Sequence, residues 1–493
     1  MRATRVIVLG LVLAALAPTR FAAQGYRLRV DSRLQSVAYR GVAFDSVAAI
    51  DTATVPGYAF QCNPTGYCTF YRPGPIVHAA PVSTTADVTV WGLGRAGLSV
   101  RAIGRAVGDL GSGDNWPGTS SHVQLLEGYA QYAAERWTAQ LGRQTVATRF
   151  GFTGFDGGRV TVREPRTRLD ATAYAGWGLW RGSVLPVTSP ALNPLDEFRP
   201  PERTIVAGAG AGWTSPRVDA RLSYEREVDP SVDYFVSERV GLDVMARPYT
   251  GVTLAGGADY DLAQGWWGSA SATLGYMTPG GRVNATAGVR RYRPHFDLWT
   301  IWGAFSPVPY TAVDGSVALK PLARLALRAQ GEHYRFANSE TATPLVSAEN
   351  SGWRFSWGAT FTLAPSWVLD GGYRAEFGPG ASSRGFEGGV TYTGGDRLSL
   401  TAHAATLDRP LEFRFDESSL DLIGLAVDYR PASRLRVKLD ASRCAEDRKR
   451  PDPAAFSWDQ VRVSARVIML FGGGADVGGI PSAVRGMPEK GSP

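Results

Sequence analysis

The chain has 493 residues, 52 Lys and Arg against 45 Asp and Glu for a formal net charge of +7, 58 Gly and only 3 Cys. The charge is scattered along the whole length with no basic block, which leaves a nucleic-acid-binding class without support. No segment beyond the N-terminal stretch holds eighteen consecutive apolar residues, so a membrane-inserted mature protein must be a closed barrel of strands, because an open sheet edge is not tolerated in hydrocarbon.

Residues 1–24 read as a secretory signal. Arg2 and Arg5 form its charged start, and Val6 to Ala17 form an apolar core too short to span a bilayer. The cleavage site is expected near Ala22 or Ala23. In an exported protein, Cys62 and Cys68 in their Pro/Gly/Tyr-rich loop read as a short disulfide; His78 is the only other nearby metal ligand, and Cys444 is left over.

A first strand is expected over 26–38, with Tyr26, Leu28 and Val30 on one face and Arg27, Arg29, Asp31 and Arg33 mostly on the other. The excursion at about 40–83 has no helical period and reads as a functional loop. Strands at 86–95 and 98–107 flank Ala96 and Gly97, and strands at 123–133 and 137–146 flank Ala134 and Glu135. A Gly/Phe-rich loop at 148–157 leads into 158–163, and the chain returns through 169–179. After a Pro-rich loop at 183–201, pairs follow at 204–214 with 218–225, 235–246 with 252–260, and 266–277 with 283–291. A second Pro- and aromatic-rich loop covers 294–309. The last pairs are 312–319 with 325–336, 353–363 with 367–377, 385–393 with 398–407, and 420–429 with 435–442, before a final strand at 461–471.

The strongest signal is the period of two in the last third. Leu398, Leu400, Ala402 and Ala404 alternate with Arg397, Ser399, Thr401 and His403; Leu435, Val437, Leu439 and Ala441 alternate with Arg434, Arg436, Lys438 and Asp440. Short turns alternate with longer loops along the chain, the pattern of a meander with one short-turn end and one long-loop end. The fold expected is all-β: a single large antiparallel up-and-down transmembrane β-barrel of about 18–22 strands, with 22 the best count. It occupies 25–471 in a bacterial, Gram-negative outer membrane, followed by a flexible periplasmic tail at 472–493. Trp91, Trp137, Trp177, Trp213, Trp266, Trp267, Trp353, Trp367, Tyr373 and Tyr429 mostly fall near strand ends, as aromatic girdles do.

The segment from Leu125 to Val162 reads LLEGYAQYAAERWTAQLGRQTVATRFGFTGFDGGRVTV. A strand ending in Gly142-Arg143-Gln144, then a Gly-rich loop, then Asp156-Gly157 with Arg159, resembles porin-like outer-membrane barrels, the alginate-export-type and phosphate-selective-type families above all. In such families the loop after this strand often folds inward, so the resemblance implies that Arg143, Arg149, Asp156 and Arg159 lie near a constriction. Two departures stand out. The aromatic residue that barrel-assembly machinery reads, here Phe471, is followed by a Gly/Pro-rich tail, and no plug-sized domain precedes the barrel, which argues against an energised receptor.

Projecting the period inward gives Arg101, Arg105, Arg221, Arg282, Arg328, Arg374 and Arg436 as pore-lining candidates, interleaved with acids. Interleaving reads as cross-strand ion pairs that stiffen the wall, or as an arginine ladder that draws anions, since rings of Arg or Lys select anions in pores. The five His (78, 122, 295, 333, 403) stand in no triad or metal spacing; His333, beside Glu332 and Tyr334, is the one candidate for a rim enzyme. No catalytic residue, cofactor or metal is expected. The function expected is a passive porin or exporter for small or chain-like hydrophilic, anionic solutes. Its partners are outer-membrane lipid, the assembly machinery, the solutes, and either further copies of itself or a periplasmic protein. The alternative is a structural barrel whose long loops bind a partner.

Overall fold

The computed structural model describes residues 24–55, 60–111, 122–181, 204–230, 235–293, 309–337, 350–378, 381–408, 418–448 and 458–474. The expected signal cleavage site, the tail beyond 474 and nearly all of the two Pro-rich loops lie outside them. In chain order the strands are β1 (Gly25–Ala48), β2 (Gln61–Cys62), β3 (Tyr67–Ala79), β4 (Pro81–Trp91), β5 (Leu98–Asp109), β6 (His122–Ala133), β7 (Trp137–Thr148) and β8 (Gly151–Glu164). They continue with β9 (Leu169–Arg181), β10 (Ile205–Thr214), β11 (Val218–Val228), β12 (Phe235–Ala246), β13 (Val252–Asp261), β14 (Trp266–Met277), β15 (Val283–Tyr292) and β16 (Tyr310–Leu322). The last are β17 (Leu325–Phe336), β18 (Ser351–Ala364), β19 (Trp367–Gly378), β20 (Ala381–Gly394), β21 (Leu398–Asp408), β22 (Ser418–Ala432), β23 (Leu435–Arg448) and β24 (Trp458–Gly474).

From β4 to β24 each strand pairs antiparallel with its chain neighbours, and β1 closes the ring by pairing with β24 from Gly25↔Gly474 to Ala38↔Val461 and with β4 from Gly25↔Trp91 to Leu34↔Val82. That is a closed barrel of 22 strands, β1 plus β4–β24. The closing seam is pinned inside by Arg466, which donates from Nε and Nη2 to the two oxygens of Asp31 at 2.7 and 2.6 Å.

Side chains alternate as a lipid–water wall demands. On β22 and β23, Ile423, Leu425, Tyr429 and Leu439 are exposed on the outer face, whereas Asp428 and Arg436 meet on the inner face at 2.8 Å. Trp137, Trp213, Trp367, Tyr429 and Phe471 ring the short-turn end, and Trp177, Trp267, Trp353 and Phe377 ring the other, with their rings outward. Amphipathic aromatic rings settle at the headgroup level for this reason. The short-turn end uses glycine where the backbone must turn left-handed: Gly280 and Gly281, at φ 86° and 68°, close the β14–β15 turn.

Two expectations need correction. The excursion at 40–83 is not an irregular loop: β1 runs on to Ala48 and pairs with β3 from Val37↔Ala79 to Ala48↔Tyr67, with β2 and the Cys62–Cys68 disulfide at the tip. This hairpin stands on the long-loop end, beyond the last β1–β24 pair. The loop expected at 148–157 is also largely strand, because β8 begins at Gly151.

The two faces of β22 supply a direct test. Leu425→Arg places a charge against acyl chains midway along the strand and is expected to destabilise the barrel by about 2–4 kcal/mol. Ala426→Arg, one residue on and facing water, is expected to cost roughly 1 kcal/mol or less. Urea unfolding in lipid bilayers measures both; equal costs would contradict the assignment of faces.

Candidate functional site: an inward hairpin in an arginine-lined lumen

The wall is not uniform. The β6–β7 ladder runs from Ala133↔Thr138 only as far as Gly128↔Arg143. Above that point β7 pairs with β8 alone, up to Thr148↔Gly151. The bend falls at Gly142, whose φ is 129° and where a Cβ would run into the carbonyl oxygen of Gly128; only glycine fits. The upper halves of β7 and β8 therefore leave the cylinder and lie against the inner wall.

The tip of this hairpin reaches past β9, β10 and β11. Arg149, its side chain 11% exposed, donates to Asp243 on β12, sits 3.4 Å from Asp259 on β13, and reaches the carbonyl and hydroxyl of Ser269 on β14, each at 3.4 Å. Phe150 is buried beside it, with the Arg239 guanidinium 4.8 Å from the ring centre. Inward glycines seat the tip. A Cβ on Gly241 would come within 3.0 Å of both Arg149 Cδ and Phe150 Cε1, and one on Gly257 would collide with the Arg149 guanidinium. Glycine inside a strand marks such a close approach.

Beneath the hairpin, Val146, Phe155, Tyr174 and Val206 form a buried apolar cluster, with the Phe155 and Tyr174 rings stacked 5.3 Å apart. Thr153 and Tyr174 each donate a hydrogen bond of 2.8 Å to Glu225, which is 1% exposed, and Arg239 stands 4.0 Å from the same carboxylate. Burying Phe155 alone contributes roughly 1.5–3 kcal/mol toward holding the hairpin inside.

The remaining inward charges are unevenly spread. Bases outnumber acids on β23, β24, β1 and β5, where Arg29, Arg33, Arg101, Arg105, Arg436, Lys438 and Arg466 face inward beside Asp31 and Asp440. Acids gather on β9–β13, nearly opposite, where Asp170, Asp219, Glu225, Glu227, Asp243, Asp259 and Asp261 face inward. Between the two arcs runs a ladder of alternating sign: Arg290 to Glu332 at 2.5 Å, Glu332 to Arg354 at 3.3 Å, and Arg354 to Glu376 at 2.8 Å. An inner groove of about 1000 Å³ follows this ladder and includes Arg328, Arg374 and Glu387.

The sequence candidates divide accordingly. Arg149 is the clip of the hairpin. Arg159 faces inward near Tyr129 and Glu127. Arg101 is bonded to Asp87 at 3.1 Å and lies 3.6 Å from Glu127; Arg221 pairs with Asp170 at 3.2 Å; Arg328 lies 3.9 Å from Glu387; Arg436 pairs with Asp428. Arg105 and Arg374 are exposed on the inner face and make no ion pair among the described residues. Three candidates fall elsewhere. Arg143 and Asp156 pair with each other at 2.8 Å on the face that carries Leu141 and Trp177, which is the outer one, because alternation is counted from Leu141, 71% exposed. Arg282 lies in the turn before β15 rather than on a strand. His333 also faces outward, with its ring 4.4 Å from that of Trp353. Among the described residues no three His, Cys, Asp or Glu are grouped to hold a metal ion.

Asp243, Asp259 and Glu225 act as the hairpin's partners, a role that charge patterning alone does not reveal. The signal present in the sequence was Gly241 and Gly257 inside otherwise regular strands.

No protein-family model matches the chain, and no curated protein matches it. Solved structures similar in fold include OccAB1 of Acinetobacter baumannii, at 10% identity over 92% of this chain and 99% of that one with a TM-score of 0.40. A BenF-like porin of Pseudomonas fluorescens is 12% identical over 90% and 99% with a TM-score of 0.40, and the copper transporter OprC is 13% identical over 92% and 81% with a TM-score of 0.49. These are likenesses of fold.

Removing the clip tests the hairpin's attachment. Arg149→Ala leaves Asp259 facing a buried vacancy, so its effect is expected at about 1–3 kcal/mol. Hydrogen exchange of the 146–155 amides should accelerate accordingly, while exchange in β21–β23 stays unchanged.

Proposed function

We propose that the barrel is a passive channel for small hydrophilic solutes, anions preferred, and that the β7–β8 hairpin sets its narrowest cross-section. The observation that carries this reading is the Arg149 clip. By engaging Asp243 and Asp259, with Glu225 capped by Thr153 and Tyr174, the hairpin occupies much of the acidic arc. The arginines across the lumen keep water-facing guanidiniums, Arg105, Arg328 and Arg374 among them. Rings of such groups favour anions. The Leu125–Val162 resemblance to alginate-export-type and phosphate-selective-type barrels supports a chain-like or phosphate-bearing anion as the solute.

Planar-bilayer recording tests it. The native protein should pass current with a reversal potential on the anion side in a KCl gradient. Arg149→Ala should raise single-channel conductance, and Arg328→Glu with Arg374→Glu should lower the anion-to-cation ratio by roughly half or more. A closed channel, or cation preference in the native protein, counts against it.

A second reading rests on the hairpin of β1 and β3. Its ten or so residues past the barrel rim extend roughly 30 Å, and Phe44, Ile50, Tyr67 and Ile76 on it are exposed. A partner captured there would make the chain an anchoring barrel, placed at the end that faces outward from the cell rather than in the periplasm. Reduction of Cys62–Cys68 should then abolish capture while leaving conductance intact.

A further inference from the structure

The inward hairpin leaves a break in the strand pairing behind it. Among the described residues, β6 above Gly128 pairs only with β5, and β7 above Arg143 only with β8. Arg143 lies six residues up β7 from the girdle residue Trp137 (143 − 137). At about 3.3 Å per residue and a tilt near 40°, that is roughly 15 Å of height in an apolar band of about 25 Å. The gap thus runs from just above mid-membrane to the long-loop rim.

Backbone left unpaired at this depth is stable only where it lines a wet cavity or is covered by protein. Three features describe what the gap suits. Its lips are apolar: Val123 is 69% exposed, and Leu125 and Leu126, turned by a bulge between β5 and β6, are exposed too. Its base is polar: Arg143 is bidentate to Asp156 and donates from Nη1 to the Leu125 carbonyl at 2.9 Å, an outward-facing ion pair that dry hydrocarbon would penalise. Its inner edge is cationic: Arg105, exposed and without an ion pair among the described residues, stands in register with Gln124.

We propose that the β6–β7 gap is a lateral portal through which an anionic amphiphile with an alkyl chain, of the medium-chain fatty-acid class, passes from the lumen into the outer half of the bilayer. Arg105 receives the carboxylate from the water side, and the chain leaves between Val123, Leu125 and Leu126. This route rests on the lumen being an open channel, as proposed above, and adds to it an exit that small hydrophilic ions do not use.

The test is uptake of radiolabelled dodecanoate by Gram-negative host cells that take it up poorly, alongside single-channel conductance of the same purified proteins. The native protein should raise uptake by about tenfold, equivalent to about 1.4 kcal/mol on the barrier. Val123→Trp with Leu126→Trp, both on the outward lip of β6, fills the gap and should return uptake to the host level with conductance unchanged. No uptake by native protein, uptake unaffected by the Trp pair, or uptake falling in step with conductance would each overturn the portal. Should the double variant fail to assemble, a diazirine-bearing dodecanoate on the native protein decides: adducts concentrated at 123–126 and 145–147 support the portal, and adducts spread evenly over outer-wall residues such as Leu242, Val289 and Leu425 overturn it. A native protein without conductance would remove the open-channel reading and the portal with it, whereas conductance with labelling spread evenly over the outer wall would overturn the portal alone.

Discussion

Every backbone N–H and C=O at membrane depth needs a partner, and in a sheet that means closing the ring. The β1–β24 ladder meets the requirement with fourteen register pairs from Gly25↔Gly474 to Ala38↔Val461. Closure also fixes the two faces, because side chains alternate along each strand. Leucine, valine and the aromatic girdles turn to lipid; arginine, aspartate and glutamate turn to water, apart from the outward Arg143–Asp156 pair at the bend. The charged interior is therefore a consequence of the closed wall, and the ion pairs across it, such as Arg290–Glu332–Arg354–Glu376, stiffen that wall while keeping guanidinium groups in contact with solvent.

Among the described residues, the ladder between chain neighbours is abandoned within the wall above Gly128, and there the hairpin enters the lumen. Losing the pairs between β6 and β7 above Gly128 is offset by what the hairpin gains inside: an apolar cluster around Phe155, a carboxylate bonded at Glu225, and the Arg149 clip. Glycine makes both halves of this exchange possible. Gly142 permits the bend, and Gly241 with Gly257 let the tip lie close to the opposite strands. A single Cβ at any of the three would oppose the inward position.

Much of this was legible in the sequence, for physical reasons that also explain the misses. Within the membrane, lipid on one side and water on the other impose a period of two, so strands such as β12 and β21 were read within a residue or so of their ends. Beyond the rim both faces meet water and the period fades, which is why 40–48 and 67–79 looked like loop although they form a long hairpin. At 151–157 the rule is inverted: Phe155 is inside and Asp156 outside, because the segment packs on the inner wall instead of facing lipid. The resemblance anticipated an inward segment here, but Arg143 and Asp156 join across the bend on its outer side, while Arg149 and Phe150 at the tip carry the attachment. Arg282 was misplaced by one residue at a turn, where alternation no longer governs direction.

The account stands or falls on which side of the wall is wet, and a nitroxide scan along β21 reads this most directly. Labels placed singly from 398 to 407 are tested for collision with oxygen dissolved in the bilayer and with a water-soluble nickel complex. The account predicts oxygen maxima at 398, 400, 402 and 404 and nickel maxima at 399, 401, 403 and 405. Oxygen and nickel profiles that rise and fall together, or that show no period of two, would contradict it.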